Sequence, residues 1–235
     1  SGCGPVSSTS THDGPRLRGD WNALACPGWK KAMAELLSPA AAILLGSLLA
    51  AAAVRRYSAR ERPLLALAFA MHVLAAFAQV WITRGVYGRG DMILYFETGR
   101  LIADVVRYDA ARFLPELGAL LVHRESVWPF YVIGTGGPTG TMNAIAGILH
   151  LVWGPSIYAQ CLTLSGFAFF GQLALYRVFR ELFPSPLWRR LLVATMLVPS
   201  VVFWSSGILK ETVAMAAFGW IVLGLHRFVQ RRRSV

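Results

Sequence analysis

The sequence predicts an all-α, polytopic membrane protein with about five transmembrane helices and a structured exported loop that carries surface helices. Hydrophobic residues make up 55% of the chain and charged residues only 15%. A helix needs about 20 apolar residues to cross a bilayer. Stretches of comparable length without a charged residue occupy residues 36–54, 64–83, 126–176 and 191–209, and a shorter one occupies 212–226.

A charged pair separates the last two of these stretches. Lys210 and Glu211 lie side by side between them. An ionisable side chain inside the hydrocarbon costs roughly 2.5–3.5 kcal/mol on insertion scales. The pair is therefore predicted to lie at a membrane face or in a functional cavity, where the chemistry of the protein is to be sought.

Two regions are predicted along the chain. Residues 1–35 are rich in Ser, Gly, Thr and Pro and indicate a flexible polar tail. Residues 36–235 form the helical membrane domain, with the exported loop at about 84–125. The chain has no initiator Met and ends just after an Arg cluster typical of a cytoplasmic link, so we expect it to be part of a longer protein.

The net charge of +11 is distributed as a topology signal. The link at 84–125 contains six Arg and six acidic residues and is the natural exported loop. Other links are strongly basic, and the positive-inside rule places them in the cytoplasm. A nucleic-acid site would instead present a continuous basic face, so no nucleic-acid partner is expected. The basic links contain Arg55, Arg56, Arg60, Arg62, Arg177, Arg180, Arg189, Arg190, Arg227, Arg231, Arg232 and Arg233.

The membrane segments differ in character. The first is Ala-rich and suited to close helix packing. The second contains His72 and Gln79, which we interpret as hydrogen-bond partners between helices rather than ligands. Residues 126–176 are long enough for two crossings, but two would export the basic link that follows. We therefore favour one crossing near 156–176, preceded by a short tilted or half-inserted helix at 141–153.

The exported loop shows the pattern of an amphipathic helix. Charged residues recur at spacings of three and four, and apolar residues form the opposite stripe. This helix either lies along the membrane surface or packs as an ordinary helix on its neighbours. The charged positions are Glu97, Arg100, Asp104 and Arg107, and the apolar ones are Leu101, Ile102, Val105 and Val106.

Asp91 opens this helix and has two interpretations. As an N-cap it would satisfy free backbone amides and need no other role. As a carboxylate at the membrane face it would act as general base, or as a metal ligand, for an acceptor hydroxyl. Tyr95 and Glu97 lie within two turns and are candidates to assist it.

Lys210 follows a polar turn on the same predicted face as Asp91. Pro199 breaks the preceding segment and Ser205, Ser206 and Gly207 loosen its end. Lys210 would then offer a cation to a phosphate at headgroup depth. The alternative is a plain turn whose lysine reaches up to the lipid headgroups.

The order of these parts resembles the GT-C membrane glycosyltransferases, which use a polyprenyl-phosphate sugar donor. The similarity covers roughly residues 64–233. The matching features are a span followed by a loop that opens with Gly90-Asp91 and Tyr95, a surface helix, a Gly-rich entry to the next helices, a break at Trp153-Gly154-Pro155-Ser156 and a late polar turn at 203–211.

The resemblance implies transfer of a sugar from a lipid phosphate to an acceptor hydroxyl outside the cytoplasm, with inversion. Asp91 occupies the place of the family's catalytic acid and would position or deprotonate the acceptor. Lys210, with Arg89 as a second candidate, would bind the departing phosphate. Glu211 would orient Lys210 or assist a divalent metal, Mg²⁺ or Mn²⁺. The expected partners are the lipid-linked donor and membrane lipids, and the expected location is the inner membrane of a bacterium.

Two other classes stay open. A non-enzymatic membrane subunit or transporter of lipid-linked saccharides would place polar residues along several spans, whereas His72, Gln79, His150 and Gln172 look few and scattered in the sequence. A polysaccharide polymerase or ligase would use the same type of substrate and cannot be separated from a transferase by sequence.

Overall fold

The computed structural model describes residues 28–183 and 185–233, with side chains for 35–183 and 186–232. Every regular element in these residues is helical, which confirms the predicted all-α class. A π-helical turn, Thr83–Tyr87, extends the second helix, and a 3-10 turn, Ser185–Leu187, precedes the seventh. The α-helices are α1 (Gly28–Val54), α2 (Arg62–Ile82), α3 (Asp91–Tyr108), α4 (Ala110–Leu121), α5 (Pro138–Trp153), α6 (Ile157–Leu182), α7 (Trp188–Met196), α8 (Pro199–Trp204) and α9 (Lys210–Arg233).

The predicted polar tail lies mostly outside the described residues. α1 begins at Gly28, so residues 28–35, which we had included in the tail, are helical. The helix continues through Pro39 and into the first apolar stretch.

Four of the described helices are long and apolar enough to cross a membrane, and the protein is a multi-pass membrane protein. They are Glu35–Val54, Arg62–Tyr87, Ile157–Leu182 and Lys210–Arg232. α5 has only 16 residues and is not among them. Residues 126–176 therefore contain one spanning helix and one short helix, as the basic link after them led us to expect.

Residues 191–209, predicted as one crossing, do not form a single helix, and the break expected at Pro199 is present. The chain forms α7, then breaks, and α8 restarts with Pro199 in its first turn. Proline has no amide hydrogen to donate and fits best in the first turn of a helix, where that hydrogen would have no partner within the helix. α8 ends after six residues, and the hydroxyls of Ser205 and Ser206 bond back to the carbonyls of Val201 and Val202.

This broken segment still runs along most of α6. Near its start Leu192 packs in one cluster with Tyr176, and near its end Ile208 packs in another with Cys161. These two positions of α6 are separated by about 22 Å at 1.5 Å per residue. Residues 188–209 thus make a fifth traverse without forming a continuous helix, which explains why the sequence predicts five crossings and the structure has four spanning helices.

The basic links meet at one end of the bundle, which we call the basic end. Glu61, in the link between α1 and α2, contacts Tyr176 and Arg180 in the last turns of α6. His226 in α9 contacts Glu181 of α6 at 2.9 Å. The opposite end, here the loop end, carries α3, α4, α5 and the starts of α6 and α9. This separation agrees with the predicted topology.

Glycines allow the closest helix contacts. A Cβ atom on Gly219 of α9 would collide with the backbone of Gly171 on α6, so these two helices meet with almost no side chain between them. At the loop end a Cβ on Gly99 of α3 would lie 2.6 Å from the backbone of Ala146 on α5. Small residues of this kind let membrane helices approach closely.

The amphipathic helix predicted in the exported loop is α3, and it packs on α5 rather than standing alone. Its buried stripe includes Met92, Tyr95, Ile102 and Val106. Leu101, which we had placed in that stripe, is 48% exposed. The apolar face of α4 forms one buried cluster with Ile102 and Val106 of α3, so the exported loop is a compact helical unit.

Candidate functional site

Asp91 is the first residue of α3, and its carboxylate has no structural partner. Gly90 is the N-cap residue, and no side chain caps the helix. Asp91 is exposed and forms no hydrogen bond or ion pair with any described residue. The N-cap interpretation of Asp91 is therefore not what the structure shows.

Lys210 is the first residue of α9 and reaches the start of α5. Its Nζ donates a hydrogen bond of 2.9 Å to the hydroxyl of Thr139. Thr139 belongs to the Gly-rich entry, where the carbonyl of Gly134 accepts from the amides of Gly137 and Gly140. Gly134 has a φ of 74°, a conformation that glycine adopts without strain. An ammonium has three donors, so the bond to Thr139 leaves two for a ligand.

Asp91 and Lys210 lie at the same end of the molecule. The residue after Asp91, Met92, packs against the turn before Lys210: a Cβ on Gly207 would be 3.4 Å from its sulfur. Met92 and Ile208 also belong to the same apolar cluster. The starts of α3 and α9 are therefore fixed relative to each other by buried contacts, with both charged groups exposed.

Glu211 points to a different side from Lys210. It lines a groove of about 240 Å³ with Trp204, Ser205 and Met215, between α8 and α9. The two residues form no ion pair among the described side chains, and adjacent residues on a helix point about 100° apart. The expected pairing of Glu211 with Lys210 is thus absent from this part of the structure.

The remaining candidates are dispersed. Tyr95 is only 2% exposed and belongs to the apolar cluster beneath Met92, so its ring serves the packing of α3. Glu97 is exposed, and its position six residues after Asp91 places it on another face of the helix. Arg89 precedes Asp91 by two residues and is exposed, so it is available to an anion.

The described side chains do not form a metal site by themselves. Within the described residues no group of three His, Cys, Asp or Glu side chains could hold a metal ion. Asp91 would contribute at most a single carboxylate.

A buried polar network lies between α2, α6 and the end of α8, and the sequence did not reveal it. His72 Nδ1 lies 3.1 Å from Ser165 Oγ and His72 Nε2 lies 3.2 Å from Gln172 Oε1. The Gln172 amide donates to Ser205 Oγ at 3.2 Å, and Ser165 donates to Ser206 at 2.9 Å. His72 is an interhelical partner as predicted, but His72 and Gln172 are linked, not scattered.

A buried acid at the basic end was also missed. Glu61 is 2% exposed and accepts hydrogen bonds from the amide and hydroxyl of Ser58 and from the hydroxyl of Tyr176. Burial alone would raise the pKa of the Glu61 carboxyl. The hydrogen bonds from Ser58 and Tyr176 and the charge of Arg180 outweigh burial, so the pKa lies below its usual value.

Comparison with known proteins gives no family. No protein-family model, no curated protein and no solved structure matches this chain.

Proposed function

We propose that the protein is a membrane glycosyltransferase that moves a sugar from a polyprenyl-phosphate donor to an acceptor hydroxyl on the non-cytoplasmic side. The supporting observation is that an acidic and a basic side chain are both available at the loop end. Asp91, an acid without a partner among the described side chains, and Lys210, a cation, stand exposed at the starts of two helices that border the same buried cluster. The proposed location is the inner membrane of a bacterium, with the loop end outside.

The two groups divide the reaction between them. The acceptor oxygen forms a bond to the anomeric carbon of the sugar, and its proton passes to the Asp91 carboxylate. The bond from that carbon to the phosphate oxygen breaks, and the charge left on the lipid phosphate is balanced by Lys210. The starts of α5 and α9 add the positive ends of two helix dipoles near this phosphate. Arg89 is a second phosphate ligand.

The decisive experiment measures transfer from a radiolabelled polyprenyl-phosphate sugar by the complete protein in lipid vesicles. Asp91→Asn should lower kcat/KM by roughly 10²–10⁴, as expected for loss of a general base. Asp104→Asn is the matched control, because Asp104 is an exposed acid of α3 whose surface pairs with Arg100 and Arg107 contribute little. If Asp91→Asn is as active as Asp104→Asn, the proposal is wrong.

The role of Lys210 is tested by measuring KM for the lipid-linked donor. Lys210→Met should raise KM for the lipid-linked donor by about tenfold, because a charge-assisted contact to phosphate is lost. Thr139→Val removes only the hydroxyl that Lys210 contacts and should change KM far less. Equal effects of the two changes would mean that Lys210 matters only for anchoring the Gly-rich entry.

The second candidate is a non-enzymatic membrane subunit or transporter of lipid-linked saccharides. The network of His72, Ser165, Gln172, Ser205 and Ser206 favours it, because it joins buried polar groups of several elements inside the bundle. Flipping of a fluorescent lipid-linked saccharide without sugar transfer would support this class. Transfer that yields long chains would indicate the polymerase or ligase alternative.

A further inference from the structure

An apolar groove opens on the surface at the basic end, between α1, α6 and α9. It has a volume of about 440 Å³, and its walls include Leu49, Phe170, Leu173 and Trp220. Three arginines from three different elements, Arg56, Arg177 and Arg227, line the same groove. The groove is therefore apolar along its length and strongly basic at one end.

The groove continues toward the loop end. Leu49 and Phe170 also line a second apolar groove, which extends along α1 and α6 to Ala42 and Trp153. From Ala53 to Ala42 the groove follows α1 for about 17 Å at 1.5 Å per residue. One leaflet of hydrocarbon is about 15 Å deep, half of the usual 30 Å. The combined groove can accommodate the full depth of one lipid chain.

A polar cavity adjoins the basic end of the groove. It has a volume of about 510 Å³ and shares Arg56, Tyr57 and Arg177 with the groove. Arg180 and Glu181 complete its lining. The surface thus offers a polar chamber that opens directly into an apolar channel.

The charge of this chamber is positive. Glu181 is engaged by Arg177 at 3.1 Å and by His226 at 2.9 Å. Glu61 is engaged by Arg180 at 3.1 Å. Arg56 and Arg227 have no acidic partner among the described side chains. Two arginines are therefore left for an anion at the level where the spanning helices end.

We propose that this groove binds an anionic phospholipid, with its phosphate at Arg56 and Arg227 and one acyl chain between α1 and α6. Arginine matches phosphate geometry, and basic pockets between membrane helices recognise anionic headgroups. The site is separate from the proposed transferase site, because Asp91 and Lys210 lie at the loop end. It is a structural lipid site of the leaflet next to the basic links.

Binding is measured by native mass spectrometry of the purified full chain titrated with phosphatidylglycerol or phosphatidylcholine. Phosphatidylglycerol should bind at least about tenfold more tightly, and Arg56→Gln/Arg227→Gln should remove that preference. Arg55→Gln/Arg190→Gln is the matched control: it removes the same charge from the basic links but from residues outside the groove lining. The control should retain the preference.

The acyl channel is tested independently of charge. Gly166 lines the channel, and a Cβ on it would have no atom within 4 Å, so Gly166→Leu fills the channel without a clash at Cβ. Gly224→Leu on α9 is the control, because Gly224 is equally open but lies outside the groove lining. Gly166→Leu should lower phosphatidylglycerol binding at least about fivefold and Gly224→Leu should not.

Three results would overturn the proposal. The first is equal binding of the two phospholipids by the unchanged protein. The second is an equal loss in the two double arginine variants, which would mean that the whole basic end attracts anions without a site. The third is tight binding of a polyprenyl phosphate that phosphatidylglycerol does not displace, which would assign the groove to that lipid.

Discussion

The hydroxyl of Tyr176 on α6 donates a hydrogen bond of 2.6 Å to the carboxylate of Glu61, in the link between α1 and α2. Arg180, one turn further along α6, pairs with the same carboxylate at 3.1 Å. Ser58 donates to it from both its amide and its hydroxyl. One buried acid therefore joins the α1–α2 link to the central helix.

Glu61→Gln should destabilise the folded protein by roughly 1.5–3 kcal/mol, the range for hydrogen bonds to a charged group. Most of the loss comes from the bonds of Ser58 and Tyr176, because the Arg180 side chain is 42% exposed and its ion pair is screened by solvent. The measurement is unfolding in detergent. Glu35→Gln is the control, since Glu35 is exposed and has no partner among the described residues.

The same bond predicts a pH dependence. The pKa of Glu61 is lowered in the folded protein, so its contribution to stability is complete above the unfolded pKa, about 4.3. The contribution is lost as pH falls through the lower folded value. The stability difference between wild type and Glu61→Gln should shrink below about pH 4. A difference that is constant from pH 3 to pH 7 would contradict the assignment.

The His72 network should behave as one unit. Gln172 Oε1 can only accept, so His72 Nε2 donates to it, while Nδ1 lies 3.1 Å from Ser165 Oγ. His72→Phe and Gln172→Leu should each destabilise the protein, and the double variant should lose less than their sum by about 0.6–1.7 kcal/mol. The test is a double-mutant cycle in bicelles.

A second double-mutant cycle, between Gln79 and Gln172, is the control for the His72 cycle. Among the described residues the Gln79 side chain donates to the carbonyl of Phe203, at 2.9 Å, and is not bonded to Gln172. Gln79→Leu combined with Gln172→Leu should be additive. Additivity of the His72 cycle as well would mean that its bonds are energetically independent.

The contact between α6 and α9 should tolerate no side chain at Gly219. Gly219→Leu would push a branched side chain into the backbone of Gly171, and backbone cannot move aside as a side chain can. Overpacking in a tight core costs about 1–3 kcal/mol and here should prevent native packing. Gly224→Leu, five residues further along α9, meets open space and should be neutral. Size-exclusion profiles and melting curves in detergent distinguish the two.

The two ends of the bundle should face opposite sides of the membrane. Tyr131 near the loop end is 85% exposed, and Arg60 at the basic end is exposed as well. Single cysteines at these positions, in a background with Cys3, Cys26 and Cys161 replaced, should react with an impermeant thiol reagent from opposite sides, Arg60→Cys from the cytoplasmic one. Labelling of both from one side would contradict the topology and remove the exported transferase site.

Composition and charge placement predicted the helical class, the single crossing within residues 126–176 and the separation of the basic links from the loop. These features depend on local apolarity and on charge counts, which a sequence displays directly. The amphipathic pattern of α3 was also visible, although its buried face is rotated enough to leave Leu101 exposed. Rotation is set by the partner helix α5, and no local pattern specifies it.

The segment at residues 188–209 shows which features could not be predicted from the sequence. Residues 191–209 carry no charge, and Pro199 predicts the break before α8. The end of α8 could not be predicted, because Ser205 and Ser206 hold it through partners on α6 and α2 that lie far away in the chain. Asp91 is a similar case. Its residue type suits an N-cap, and only the backbone geometry shows that Gly90 holds that position.

The central place of α6 has a consequence for synthesis. α6 packs against α1, α2, α7 and α9, and His72 and its partner Gln172 are 100 residues apart. At about 5–20 residues per second, α2 waits roughly 5–20 s in the bilayer before that partner is made. During this interval the imidazole of His72 has none of its final hydrogen-bond partners, so the pair of α1 and α2 stays incomplete until α6 is inserted.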